Sequence, residues 1–194
     1  MPSHEPAAFP VALHRPEAER RVVILPGARY PTRGPLLWFA REVAVARGFG
    51  VLEVLDEPPA GADPFAWIRD RAQRALDHRP APTTVVIGKS LASAVADLAA
   101  ARALPAIWLT PLLDRPAVAA AIAAATRPAL LAGGTADPTW RPDAVGDSAL
   151  LQFHEVADAD HSLQRPGDPV ASLAILRGVV KRVDRFLGGS WLAA

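Results

Sequence analysis

A chain of 194 residues, 51% hydrophobic and 21% charged, has the make-up of a folded globule large enough to bury a substantial core. Its 21 Lys and Arg against 20 Asp and Glu leave a net charge of +1, which makes no electrostatic case for nucleic acid or acidic membranes as partners. The absence of cysteine excludes disulfides, thiolate metal sites and a cysteine nucleophile together.

Residues 1–20, with Pro2, Pro6, Pro10 and Pro16, read as an extended arm in which Pro10 to His14 supplies an edge strand. The arm lacks the charged start and apolar run of a secretory signal, so the cytoplasm is the expected location. Residues 21–188 read as one domain and 189–194 as a tail with an exposed Trp191, a hint of a partner surface; a monomer or weak homodimer is expected.

Arg21 to Leu25 is a short apolar run closed by Pro26-Gly27, the pattern of a buried parallel strand and its loop. Leu36 to Gly48, with Leu37, Phe39, Ala40, Val43, Ala44 and Arg47, has the spacing of a helix ended by glycine. Val51 to Leu55 is the next strand, and Pro64 to His78 an amphipathic helix carrying Phe65, Ile68, Ala72 and Leu76 on one face. Thr84 to Ile87 is a β-branched run leading through Gly88-Lys89-Ser90-Leu91-Ala92 into an Ala-rich helix, Val95 to Arg102. The strand Ala106 to Leu109, the helix Pro116 to Ala125, the strand Ala129 to Ala132, the strand Ala149 to Val156 and the helix Asp168 to Phe186 follow. The longest apolar stretch, Val118 to Ala125, is far too short to span a bilayer.

Strands alternating with helices specify an α/β domain. Its mainly parallel sheet, of six to seven strands, carries helices on both faces and is joined by right-handed crossovers. Ligands in such sheets collect beyond the carboxyl ends of the strands, so catalytic residues should follow strands.

The stretch Gly88 to Ala92 has the strand-turn-helix form of a nucleophile elbow, whose tight turn strains the serine backbone and needs small residues two before and two after it. Gly88 and Ala92 occupy those places. The rival reading, the end of a phosphate-binding loop, needs a glycine at the position of Thr83 and a flexible loop where a Val-Val-Ile strand lies. On these residues the chain resembles the α/β-hydrolase superfamily, with Ala92 in place of the commoner second glycine.

That resemblance implies an acid and then a histidine downstream of Ser90. Gly134-Thr135-Ala136-Asp137-Pro138, after one strand, resembles the superfamily's acid turn, and the loop Ala157 to Leu163, after the next, resembles its histidine loop and carries His161. Asp114 is the reserve acid, whereas Asp158 and Asp160 lie on the histidine's own loop and read as loop-shaping. The oxyanion donors implied are the backbone N–H groups of Leu91 and of Ala28, the latter in a loop where Pro26 replaces the superfamily's frequent histidine. Arg29 or Tyr30 can then reach the substrate, and Trp140 either walls the acyl pocket or packs on a helix.

His154-Glu155 does not make a zinc-protease motif, because position 158 is Asp158 and the segment reads as a strand, so His154 is structural. His4, His14 and His78 are expected to be exposed, and Lys89 to be solvated at the edge of the elbow. Between elbow and acid turn, Leu112 to Arg127 has room for one helix and none for a lid domain. The resemblance implies a serine hydrolase of carboxylic esters or thioesters, taking a small-molecule acyl substrate at an open site without metal or cofactor. Acyl transfer, cyclisation or peptide cleavage at the same site, and a non-catalytic scaffold, remain alternatives.

Overall fold

The computed structural model describes residues 10–78 and 80–193. His4 and the first part of the predicted arm lie outside them. Among the described residues a seven-stranded sheet runs in the order β1-β3-β2-β4-β5-β6-β7. Its strands are β1 Val11–His14, β2 Arg20–Leu25, β3 Gly50–Val54, β4 Thr83–Lys89, β5 Ala106–Leu109, β6 Ala129–Gly134 and β7 Leu151–Val156. The pairings from β3 through β7 are parallel, and β1 joins β3 antiparallel, so the arm contributes an edge strand at Val11 to His14.

Five α-helices among the described residues cover the sheet: α1 Pro35–Ala46, α2 Pro64–Asp77, α3 Ala96–Ala101, α4 Pro116–Ala123 and α5 Pro169–Leu187. Strand alternation divides the core between the two faces. Val23, Leu25, Val86, Trp108 and Leu131 pack with α2, α3 and α4, whereas Val22, Ile24, Val85, Ile87, Ile107 and Leu130 pack with α1 and α5. The N-terminal ends of α1, α2, α4 and α5 carry proline in the first turn, where the missing N–H costs nothing. Asp63 and Asp168 cap α2 and α5 by accepting from the N–H groups of Phe65 and Ala171.

Three features depart from the sequence-based expectation. The elbow passes first through a 3-10 turn, Ser90–Val95, and only then into α3. Trp191 is not an exposed tail residue; it packs against Phe186 with ring centroids 5.0 Å apart, closing the end of α5. His14 is half-buried rather than exposed, because its Nε2 lies 2.8 Å from the carboxylate of Glu53, a buried acid on β3 that Arg41 also approaches at 3.4 Å. That set ties the edge strand and α1 to the sheet. His78 is exposed as expected. No helix among the described residues is long and apolar enough to cross a membrane.

Candidate active site

The strand order reverses between β2 and β4: the chain leaves β2 for β3 on one side and returns to β4 on the other. Such a reversal opens a crevice at the carboxyl ends of the two strands. The loop after β2 and Ser90, immediately after β4, both lie there.

Ser90 has φ of +50°, a left-handed conformation that costs a non-glycine residue about 1 kcal/mol or more and holds its side chain out of the turn. The close approach that this turn requires is visible at Gly88, where an added Cβ would lie 2.7 Å from Ala92 Cβ and 2.9 Å from the Trp108 ring. Ser93 braces the elbow from behind: its hydroxyl donates to the Ser90 carbonyl at 2.7 Å and accepts from the Leu112 N–H at 3.0 Å.

His161 and Asp137 reach Ser90 from the ends of β7 and β6. Their loops are joined: Thr135 N–H donates to the Val156 carbonyl, Ala136 N–H to the Ala159 carbonyl, and Thr135 Oγ1 accepts from Asp158 N–H. Asp160 shapes the histidine loop, its Oδ1 accepting from the N–H groups of Ser162 and Gln164. His161 Nδ1 lies 2.7 Å from Asp137 Oδ2, and His161 Nε2 lies 2.8 Å from Ser90 Oγ. A carboxylate can only accept, so Nδ1 carries the ring proton and Nε2 is left to accept from the serine hydroxyl.

Asp137 is 3% exposed. Burial alone pushes its carboxyl up, but the hydrogen bonds from His161 and from the Thr139 N–H and hydroxyl outweigh burial and hold it below the usual carboxylate range. Thr139 is a partner that the sequence reading missed. Its position two residues after an aspartate, within an Asp-Pro turn, is the available signal, since Asp side chains commonly accept from the backbone two residues on.

The loop after β2 turns back on itself through paired bonds between Gly27 and Tyr30. It lies against the elbow: a Cβ on Gly27 would sit 3.3 Å from the Lys89 carbonyl oxygen and 3.7 Å from Ser90 Cβ. Ala28 and Arg29 form the exposed tip of this turn, and Leu91 begins the turn after Ser90. Tyr30 folds inward, its hydroxyl accepting from the Leu36 N–H at 3.0 Å. Burial raises the Tyr30 phenol above its ordinary value, against the opposing effect of that N–H.

Of the two readings of Trp140, the packing one is seen: it is buried in the core, where Gly133 makes room for its ring and its Nε1 donates to Glu155 at 2.7 Å. One sequence-based expectation is corrected. Lys89 is not solvated. Alternation along β4 puts Val85, Ile87 and Lys89 on the α1 and α5 face, and Lys89 ends 2% exposed beneath the His161 loop. Its Nζ donates to Thr110 Oγ1 at 3.1 Å and to the His161 carbonyl at 3.0 Å, and lies 4.7 Å from the centre of the Tyr30 ring. The reserve acid Asp114 is exposed, and the carboxylate that accepts from His161 Nδ1 is that of Asp137.

Burial pushes the Lys89 ammonium down from 10.5 to about 8, although Asp137 and Asp160 pull the other way. Between those values the unfolded chain binds more protons than the native one, so stability rises with pH there. Thermal unfolding of the parent and of Lys89→Met from pH 7.5 to 10 checks the sign: the parent should gain stability relative to the variant as pH rises.

A cleft of about 430 Å³ is lined by Tyr30, Leu36, Leu163, Leu173 and Leu176 together with Ser162 of the histidine loop and the exposed Gln164 and Arg165. Ser90, His161 and Arg29 are not part of its lining. Across Leu112 to Arg127 the chain forms the single helix α4, with no lid between elbow and acid turn.

No protein-family model matches this chain, and no curated protein matches it by sequence. Its similarity is to solved structures. Mouse alpha/beta hydrolase domain-containing protein 10 superposes with a TM-score of 0.69 at 15% identity, over 93% of this chain and 95% of that one. The esterase domain of a Rhodothermus marinus protein gives 0.61 at 13% identity, over 87% and 88%. A serine hydrolase without lid from Xanthomonas campestris gives 0.58 at 17% identity, over 89% and 88%. With its seven-stranded sheet, its helices on both faces and these neighbours, the chain has the α/β-hydrolase fold.

Proposed function

We propose that the protein is a serine hydrolase of carboxylic esters or thioesters. The observation that carries this reading is the unbroken path from Ser90 Oγ through the His161 ring to a buried Asp137 carboxylate, with contacts of 2.8 and 2.7 Å. His161 Nε2 takes the hydroxyl proton as Ser90 Oγ attacks the carbonyl carbon. The Ala28 and Leu91 N–H groups receive the oxyanion, and Asp137 stabilises the imidazolium that forms. Collapse of the tetrahedral intermediate expels the alcohol or thiol, which His161 protonates. Water, activated by the same ring, then releases the acid.

The apolar cleft bounded by Tyr30, Leu36, Leu163, Leu173 and Leu176 suits a hydrocarbon part of the substrate, and its volume falls within the range of small-molecule sites, about 300 to 1,000 Å³. A panel of p-nitrophenyl esters and acyl thioesters of two to ten carbons tests both statements. Turnover of at least one series supports hydrolysis, and none from either overturns it. Leu176→Trp, which fills the cleft, should lower kcat/KM for eight-carbon relative to two-carbon esters by about 10-fold or more. An unchanged chain-length profile would remove the cleft from the substrate site.

A further inference from the structure

We propose that Lys89 is a positioning residue for His161: its buried ammonium ties the backbone of the histidine loop to the end of the nucleophile strand. This rests on the serine-hydrolase reading above. Lys89 immediately precedes Ser90 and plays no part in the proton transfers described, yet it is a buried cation at the centre of the site.

Placing a charge there is costly unless its donors are met. Here one donor is taken by the His161 carbonyl at 3.0 Å and one by Thr110 Oγ1 at 3.1 Å, while the Tyr30 ring covers the remaining side at 4.7 Å. Each partner comes from a different strand end: Tyr30 follows β2, Thr110 follows β5 and His161 follows β7. Thr110 itself is held in a left-handed conformation, with φ of +46°, and its N–H donates to the Ala132 carbonyl at 2.7 Å. Lys89 therefore fixes the main chain of the residue whose side chain must meet Ser90 within hydrogen-bond reach. A displacement of about 1 Å in such a group can cost about 100-fold in rate.

Besides the Tyr30 ring, the Asp137 and Asp160 carboxylates act on the ammonium through space. That the ammonium is itself pushed down to about 8 by burial is the mark of a charge kept where it is expensive.

The test compares the parent with Lys89→Met, a side chain of similar length without donors or charge. Lys89→Gln is used if the methionine variant does not fold by circular dichroism. Two readouts are taken: kcat and KM on p-nitrophenyl acetate, and the downfield NMR resonance of the His161 Nδ1 proton held by Asp137. The expected result is a fall in kcat of about 10- to 100-fold with KM changed less than about threefold, and a resonance that is shifted or lost to exchange. Parent kcat or an unmoved resonance in a folded variant would overturn the proposal. If the parent hydrolyses no ester, the serine-hydrolase reading fails first, and the resonance decides on Lys89 alone: one unchanged in the variant overturns its hold on His161.

Discussion

Ser90→Ala is expected to lower kcat on the best ester of the panel by about 10⁴-fold or more, with KM near that of the parent. The substitution removes one atom, Ser90 Oγ, and with it both the attacking group and the 2.8 Å bond to His161 Nε2. It leaves the surroundings in place. Alanine at φ of +50° is as strained as serine there, and the Gly27 loop, the Leu91 N–H and the His161 to Asp137 bond do not depend on the hydroxyl. Stability should therefore change by less than about 1 kcal/mol, so the loss can be assigned to chemistry. Steady-state kinetics with a folding control by thermal unfolding checks both numbers. Residual activity within about tenfold of the parent would mean that another group attacks.

The second large effect is expected from Asp137→Asn, about 10³- to 10⁴-fold in kcat at neutral pH. The change keeps the shape and removes the charge. Asn can turn an NH₂ group toward His161 Nδ1, which must then accept, so the ring proton moves to Nε2 and the serine loses its acceptor. A pH dependence follows from the same site. Hydrogen bonds hold the Asp137 carboxyl below its unfolded value. Its stabilising contribution is therefore present above the ordinary carboxylate range, about pH 4, and is lost as pH falls through the lower native value. Acid unfolding of the parent should accordingly show a loss of stability below about pH 4 that Asp137→Asn lacks. An Asn variant with kcat within about tenfold of the parent would remove Asp137 from the mechanism.

The sheet was legible because most of its strands are short apolar runs bounded by Pro or Gly, and most of its elements begin and end within two residues of where periodicity places them. The meeting of Ser90, Asp137 and His161 was legible for a related reason. Each follows a parallel strand, and parallel strands bring their carboxyl ends to one edge.

The misreadings share a different cause: they concern residues whose setting depends on distant partners. A lysine at the end of an apolar strand looks solvated when judged by its neighbours in sequence. Yet β4 is central, and strand alternation points Lys89 beneath a loop that arrives 72 residues later. Thr110 carries no sequence mark of its own, since its value lies in what it touches. His14 looked free in an arm, but Glu53, a lone acid in a buried strand, needed a partner from across the sheet. Trp191 stands in a tail in sequence and packs against the core in space.

The central claim is that Ser90 is a nucleophile activated by His161. Its most direct test is covalent labelling of the parent and Ser90→Ala with a fluorophosphonate, with the adduct located by peptide mass spectrometry. The account predicts a single adduct on Ser90 in the parent, slowed by about 100-fold or more in His161→Ala, and none in Ser90→Ala. A parent that forms no adduct, or one that persists in Ser90→Ala, would contradict it.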